Sequence, residues 1–175
     1  MTIAFVVVAI LVLLIAAVFG IGAALPKEHR AEVDAVVPLS PDHLWKLIAD
    51  PSQATKWRTD LASAEEISPN VVRETSKKGE AMTFETMHSD PPNVLVRRIA
   101  DTNLPFGGQW RITIDPDQGQ SRINIVEDGF VKPALFRFVS RFAMGHDRTI
   151  KNFLSDLKDY SSKLSASSDE WTRKE

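Results

Sequence analysis

The chain has no cysteine, which excludes disulfides, thiolate metal sites and a cysteine nucleophile and leaves the redox compartment open. Its four histidines, at positions 29, 43, 88 and 146, include no two at the spacing of a two-ligand helical motif, so no metal site is expected. There is no glycine-rich phosphate loop, no nucleophile elbow and no acidic pair with an evident third partner. No cofactor is expected either. Charge is short of both extremes: a formal net of −2 offers no field for collecting nucleic-acid phosphates, so nucleic acid is not an expected partner.

The most consequential shortage is local. Residues 3–25 carry no charged side chain, and at a helical rise of ~1.5 Å per residue this run reaches ~34 Å, against ~30 Å for the hydrocarbon core of a bilayer. A cleaved secretory signal would need a basic start and a shorter apolar stretch. Only Met1 and Thr2 precede the run, so an uncleaved, single-pass membrane anchor over residues 1–26 is expected, although Gly22 and Ala24 would suit a peptidase. Lys27 and Arg30 follow the span directly, and the positive-inside bias places the remainder in the cytoplasm.

The remaining ~150 residues suffice for one domain with a real core. Residues 29–37 alternate, with Ala31, Val33, Ala35 and Val37 on one parity and Arg30, Glu32 and Asp34 on the other, the period of a half-buried strand. Ser40 and Pro41 then read as N-cap and first residue of a helix to about Ala49, with Leu39 stapled on Leu44. Asp50-Pro51 stops that helix, and Ser52 is expected to cap a second, short one through Trp57. Between residues 61 and 131, turn chemistry separates six extended runs, expected near 61–67, 71–77, 80–89, 94–101, 109–115 and 121–130, an antiparallel meander. Finally Val139, Ala143, His146, Ile150, Phe153, Leu157, Tyr160 and Leu164 follow at alternating steps of four and three, an apolar stripe down one long helix with Gly145 marking a bend or junction. Residues 165–175 are polar and are expected to form a disordered tail.

Three stretches carry a resemblance: Val37-Pro38-Leu39-Ser40-Pro41-Asp42-His43-Leu44-Trp45 continuing to Asp50 with Trp57 following, Leu104-Pro105-Phe106-Gly107-Gly108-Gln109-Trp110, and Glu127-Asp128-Gly129 running through Phe136-Arg137-Phe138 to Gly145-His146-Asp147. With the order of elements, residues 27–164 resemble the SRPBCC superfamily of START lipid-transfer, pollen-allergen-like and polyketide cyclase/dehydrase-like proteins. That resemblance implies an α+β helix-grip fold, a curved antiparallel sheet of about seven strands around a long C-terminal helix. It also implies a cavity between sheet and helix for an apolar or amphipathic molecule.

His146 interrupts the otherwise apolar stripe, where it serves either as a hydrogen-bonded structural histidine or as an acid/base group. Glu127 shares parity with Ile123 and Ile125 and is its candidate partner, or else a rim carboxylate in water. His88 shares parity with Met82, Phe84 and Thr86, which makes it a third candidate at a pocket mouth and sends Glu85 outward. Arg97 or Arg98 would meet a ligand carboxylate if inward and solvent if not. Trp45, Phe84, Trp110, Ile112, Ile125, Phe153 and Leu157, with His146, are the expected pocket wall, although an aromatic core explains the same pattern. Residues 104–108 form an expected flexible lip. The leading functional expectation is a membrane-anchored binding domain for a hydrophobic or lipid-like small molecule. The alternatives are a polyketide cyclase/dehydratase-like enzyme using His146 with Glu127 or His88, and a ligand-free membrane interaction module.

Overall fold

The computed structural model describes residues 2–172. The first element, α1 (Thr2–Ala24), is apolar on every side and exposed along its length, and it is long and apolar enough to cross a membrane. Its one buried residue is Gly22, which meets the backbone of Ala134 so closely that a Cβ there would clash.

The domain begins with β1 (Glu28–Val37), followed by α2 (Pro41–Ala49) and α3 (Pro51–Trp57). Strands β2 (Leu61–Ser68), β3 (Val71–Ser76), β4 (Ala81–Asp90), β5 (Val94–Ile99), β6 (Phe106–Asp117) and β7 (Gln120–Val131) follow. They form a seven-stranded antiparallel sheet in the order β1-β7-β6-β5-β4-β3-β2, so α2 and α3 carry the chain from one edge to the other. After β7 come α4 (Ala134–Val139), a π-helical turn (Ser140–Met144) and the long α5 (Arg148–Thr172). This is the expected helix-grip architecture. Ala35, Ile114, Ile123 and Ile125 from the sheet and Ile150, Leu154 and Leu157 from α5 share one core with Leu44 and Ile48 of α2.

Local differences have local causes. Asp50, not Ser52, caps α3: its Oδ1 accepts the Ser52 backbone N–H at 2.9 Å, the reach of a carboxylate one residue ahead of Pro51. Strand β6 starts at Phe106, so the expected flexible lip is partly ladder, with Phe106 opposite Val131 and Gly108 opposite Gly129. Gly108 can follow β7 this closely because a Cβ would sit 2.5 Å from the Asp128 carbonyl oxygen. The stripe that begins at Val139 is divided at the junction expected of Gly145, which at φ +74° closes the π turn on Ser140 and separates it from α5. His146 therefore lies in the junction ahead of α5. The helix itself continues past Leu164 to Thr172, through a segment expected to be disordered but free of glycine and proline; residues 173–175 lie outside the described residues.

Candidate functional site

Antiparallel register places one residue from each of five strands in a single row on the sheet face that carries the core: Ala31 of β1, Glu127 of β7, Trp110 of β6, Arg97 of β5 and Thr86 of β4. The next row, Val33, Ile125, Ile112 and Leu95, is apolar. The polar row therefore lies immediately beside sealed core.

At one end of the row, Trp110 Nε1 donates to Glu127 Oε2 at 2.9 Å, and Glu127 Oε1 meets His29 Nε2 at 3.3 Å. The His29 ring stacks on His146, with ring centres 4.2 Å apart and 17° between planes. Space for this arrangement comes from Gly129, opposite His29 in the ladder: a Cβ there would lie 2.6 Å from His29 Cε1 and 3.2 Å from Glu127 Oε1. His29 Nδ1 is buried and has no hydrogen-bond partner among the described residues. Burial holds the His146 imidazolium below its ordinary pKa, with His29 and Arg141 adding to the effect and Glu127 and Asp147 opposing it. Glu127 and His146 are thus linked only through His29, which bonds the one and stacks on the other.

Sequence reading left His29 out of the site. Its signal was present, because His29 has the parity of Ala31, Val33 and Ala35; the missing information was the glycine across the ladder.

At the other end, Glu74 of β3 is buried and faces two guanidinium groups, Arg58 at 3.2 Å and Arg97 at 3.6 Å. Arg58 also pairs with Asp60 at 2.8 Å. Burial depresses the Arg97 pKa, Glu74 opposes that shift and the neighbouring Arg58 reinforces it. Between these two polar stations runs an aromatic seam. Phe153 of α5 sits edge-on to Trp110 at 5.4 Å and to Trp57 at 4.8 Å, while Arg58 lies 5.5 Å from the Phe153 ring. Arg97 covers Phe84 at 5.5 Å. Trp110, Phe153 and Phe84 are only half-buried, although each faces the interior row.

The other expected wall residues fall elsewhere. Ile112, Ile125 and Leu157 are sealed within the core. Trp45 packs on the core edge and lines an open groove of about 1020 Å³ between α2 and the neighbourhood of Leu39 and Leu164, outside the space between the polar row and α5. His88 is exposed, because a bulge between Thr86 and His88 shifts the register. His88 consequently pairs with Val96 and leaves the face of Leu95 and Arg97. Arg98 points away from the row as well, bonding Glu85 at 2.8 Å. No group of His, Asp and Glu side chains suited to a metal occurs among the described residues.

Beyond the His29 end lies a smaller pocket of about 300 Å³, bounded by Leu25 and Pro26 at the foot of α1 and by His29, His146, Arg137 and Arg141.

Residues 28–161 match the family described as polyketide cyclase/dehydrase and lipid transport. No curated protein is similar enough in sequence to be matched. Solved structures of the same fold include a conserved protein from Geobacillus kaustophilus, at 14% identity and TM-score 0.65 over 77% of this chain and 96% of that one. A START superfamily protein from Mycobacterium smegmatis has 12% identity and TM-score 0.63 over 78% and 99%. A norcoclaurine synthase point mutant from Thalictrum, in complex with a transition-state analogue, has 13% identity and TM-score 0.60 over 79% and 96%.

Proposed function

We propose that the chain, which belongs to the polyketide cyclase/dehydrase and lipid transport family, is a membrane-anchored domain that binds an apolar or amphipathic small molecule between the sheet and α5. The observation that carries this reading is the half-buried aromatic seam, Trp110 with Phe153, held between two interior polar stations. Aromatic surface that faces a core yet keeps solvent contact is surface a greasy ligand would cover. Glu127 with His29 at one end, and Arg97 at the other, supply the few convergent polar groups that orient a ligand. Arg97 shares Glu74 with Arg58, so a carboxylate or sulfonate on the ligand would complete its pairing.

Anchoring by α1 gives the pocket a local supply of ligands that partition into the bilayer, the advantage of a raised effective concentration. Lys27 and Arg30 directly after the span support a cytoplasmic domain.

Binding of the amphipathic fluorophore 1-anilinonaphthalene-8-sulfonate to the full chain in detergent tests the reading. A single saturable site is expected, weakened about tenfold, or ~1.4 kcal/mol, by Arg97→Gln. Non-saturable binding indifferent to that substitution contradicts it.

A second reading, polyketide cyclase/dehydratase-like proton transfer, is favoured by the Glu127–His29–His146 arrangement. The depressed pKa of His146 keeps a neutral imidazole at neutral pH to take a substrate proton, and the nearby Glu127 carboxylate favours the imidazolium that forms there. Turnover of a polyketone substrate that His146→Gln abolishes without loss of binding would separate enzyme from carrier.

A further inference from the structure

The pocket at the foot of α1 contains a buried cation without an anionic partner among the described residues. Arg137 of α4 is 8% exposed, and its guanidinium donates only to carbonyls: Nε to Gly22 O at 2.8 Å, Nη1 to Lys132 O at 2.8 Å and Nη2 to Ala23 O at 3.4 Å. Two of these are carbonyls that the last turn of α1 leaves unpaired, and the helix dipole there amounts to about half a negative charge. Half a charge does not neutralise a guanidinium, and arginine is rarely buried without a full partner.

The charges around it do not supply one. Lys27 and Arg141 line the same pocket and form no ion pair among the described residues. Arg30 is taken by Asp128 at 2.9 Å and His29 by Glu127 at 3.3 Å. Glu28 is the one carboxylate in the lining. Three unpaired cations against one acid leave the pocket positive, and its volume of about 300 Å³ is at the small end of ligand sites.

An independent feature sets its height. The segment that carries Arg137 and Arg141 exposes Leu135 (41%), Phe136 (54%) and Phe142 (63%) beside the point where Gly22 and Ala134 touch. Apolar side chains around basic ones, level with the end of a membrane-spanning helix, describe a segment lying in the bilayer interface. The pocket then opens among lipid headgroups.

We infer that this pocket binds the phosphate of an anionic membrane phospholipid, with Arg137, Arg141 and Lys27 as its ligands. The inference rests on α1 spanning a bilayer, as proposed above, and not on what occupies the space beneath α5. Lipid held here would fix the domain against the membrane at the mouth nearest His29 and His146.

The full chain is reconstituted in phosphatidylcholine nanodiscs with a minority of phosphatidylglycerol, then released into detergent for native mass spectrometry. Retained phosphatidylglycerol should be enriched over phosphatidylcholine about tenfold or more. The double variant Lys27→Gln/Arg141→Gln, both exposed positions whose loss spares the fold, should abolish that enrichment. Lys132→Gln, an exposed cation just outside the pocket, should leave it intact, which diffuse attraction to a charged surface would not. Equal retention of the two lipids, or equal loss in the Lys132 and double variants, overturns the inference. Displacement of the lipid by millimolar inorganic phosphate overturns the lipid as the source of the anion. Failure to enter nanodiscs overturns this inference and the anchored reading together, whereas entry without enrichment overturns this one alone.

Discussion

The imidazole of His146 lies flat against that of His29, 4.2 Å between ring centres, joining the junction before the last helix to the first strand of the sheet. Burial and His29 both disfavour the His146 imidazolium, so the folded chain binds fewer protons at this site than the unfolded chain, whose imidazole titrates near 6.5. Stability from this residue is therefore fully present above that value and is lost as pH falls through it toward the lower folded-state pKa. Urea midpoints measured between neutral and mildly acidic pH should fall with acidity, and His146→Gln should flatten that fall. An identical pH slope in the variant would remove His146 from the account.

Gly129→Ala should expel the His29 ring, because a Cβ would lie 2.6 Å from its Cε1. Overpacking of this kind costs ~1–3 kcal/mol. Proton NMR should also show the loss of ring-current shifts between the two imidazoles. A variant with native stability and unshifted imidazole resonances would contradict the geometry.

Removing the carboxylate between Arg58 and Arg97 should be more damaging than removing either arginine. Glu74→Gln leaves two half-buried guanidinium groups facing each other, with only Asp60 on one of them among the described residues. The expected loss is ~3 kcal/mol in chemical denaturation, and Glu74→Gln/Arg97→Gln should recover part of it. A single variant as stable as the parent contradicts a structural ion cluster.

Arg137→Ala should loosen α1 from the domain without unfolding either, since it deletes the bonds to Gly22 and Ala23. Trypsin should cut at Lys27 faster in this variant, and Arg137→Lys should restore little of the protection, because one ammonium cannot span the carbonyls of Gly22 and Lys132 together. Unchanged cleavage would mean that the cap does not hold the junction.

Most of the fold was legible because its determinants are local. Alternation announced β1, Ser40-Pro41 announced α2, and turn chemistry divided the meander at nearly the right places. The errors mark where distant residues decide. Parity along β4 makes His88 a pocket-mouth candidate, and a bulge at Met87, unsignalled in the sequence, turns it off that face. The stripe from Val139 counts correctly in steps of three and four, and Gly145, read as a bend or junction, does divide it, at a positive φ. Glu127 and His146 were named as a pair, but their connection through His29 depends on Gly129 in another strand. The cluster of Arg58, Glu74 and Arg97 joins three separate elements, and no local pattern encodes it. Ile112, Ile125 and Leu157 show the reverse limit: core and cavity wall share one apolar signature, and these residues proved to be sealed core.

The most direct test of the central claim is to purify the full chain from cells in mild detergent, extract it with organic solvent and identify what is released by mass spectrometry, with Trp110→Ala/Phe153→Ala alongside. A defined apolar or amphipathic molecule that accompanies the parent and is depleted in the double variant is the predicted result. A parent that releases nothing beyond the detergent and bulk lipid found equally with the variant would contradict it, and would favour a domain that serves only for assembly at the membrane.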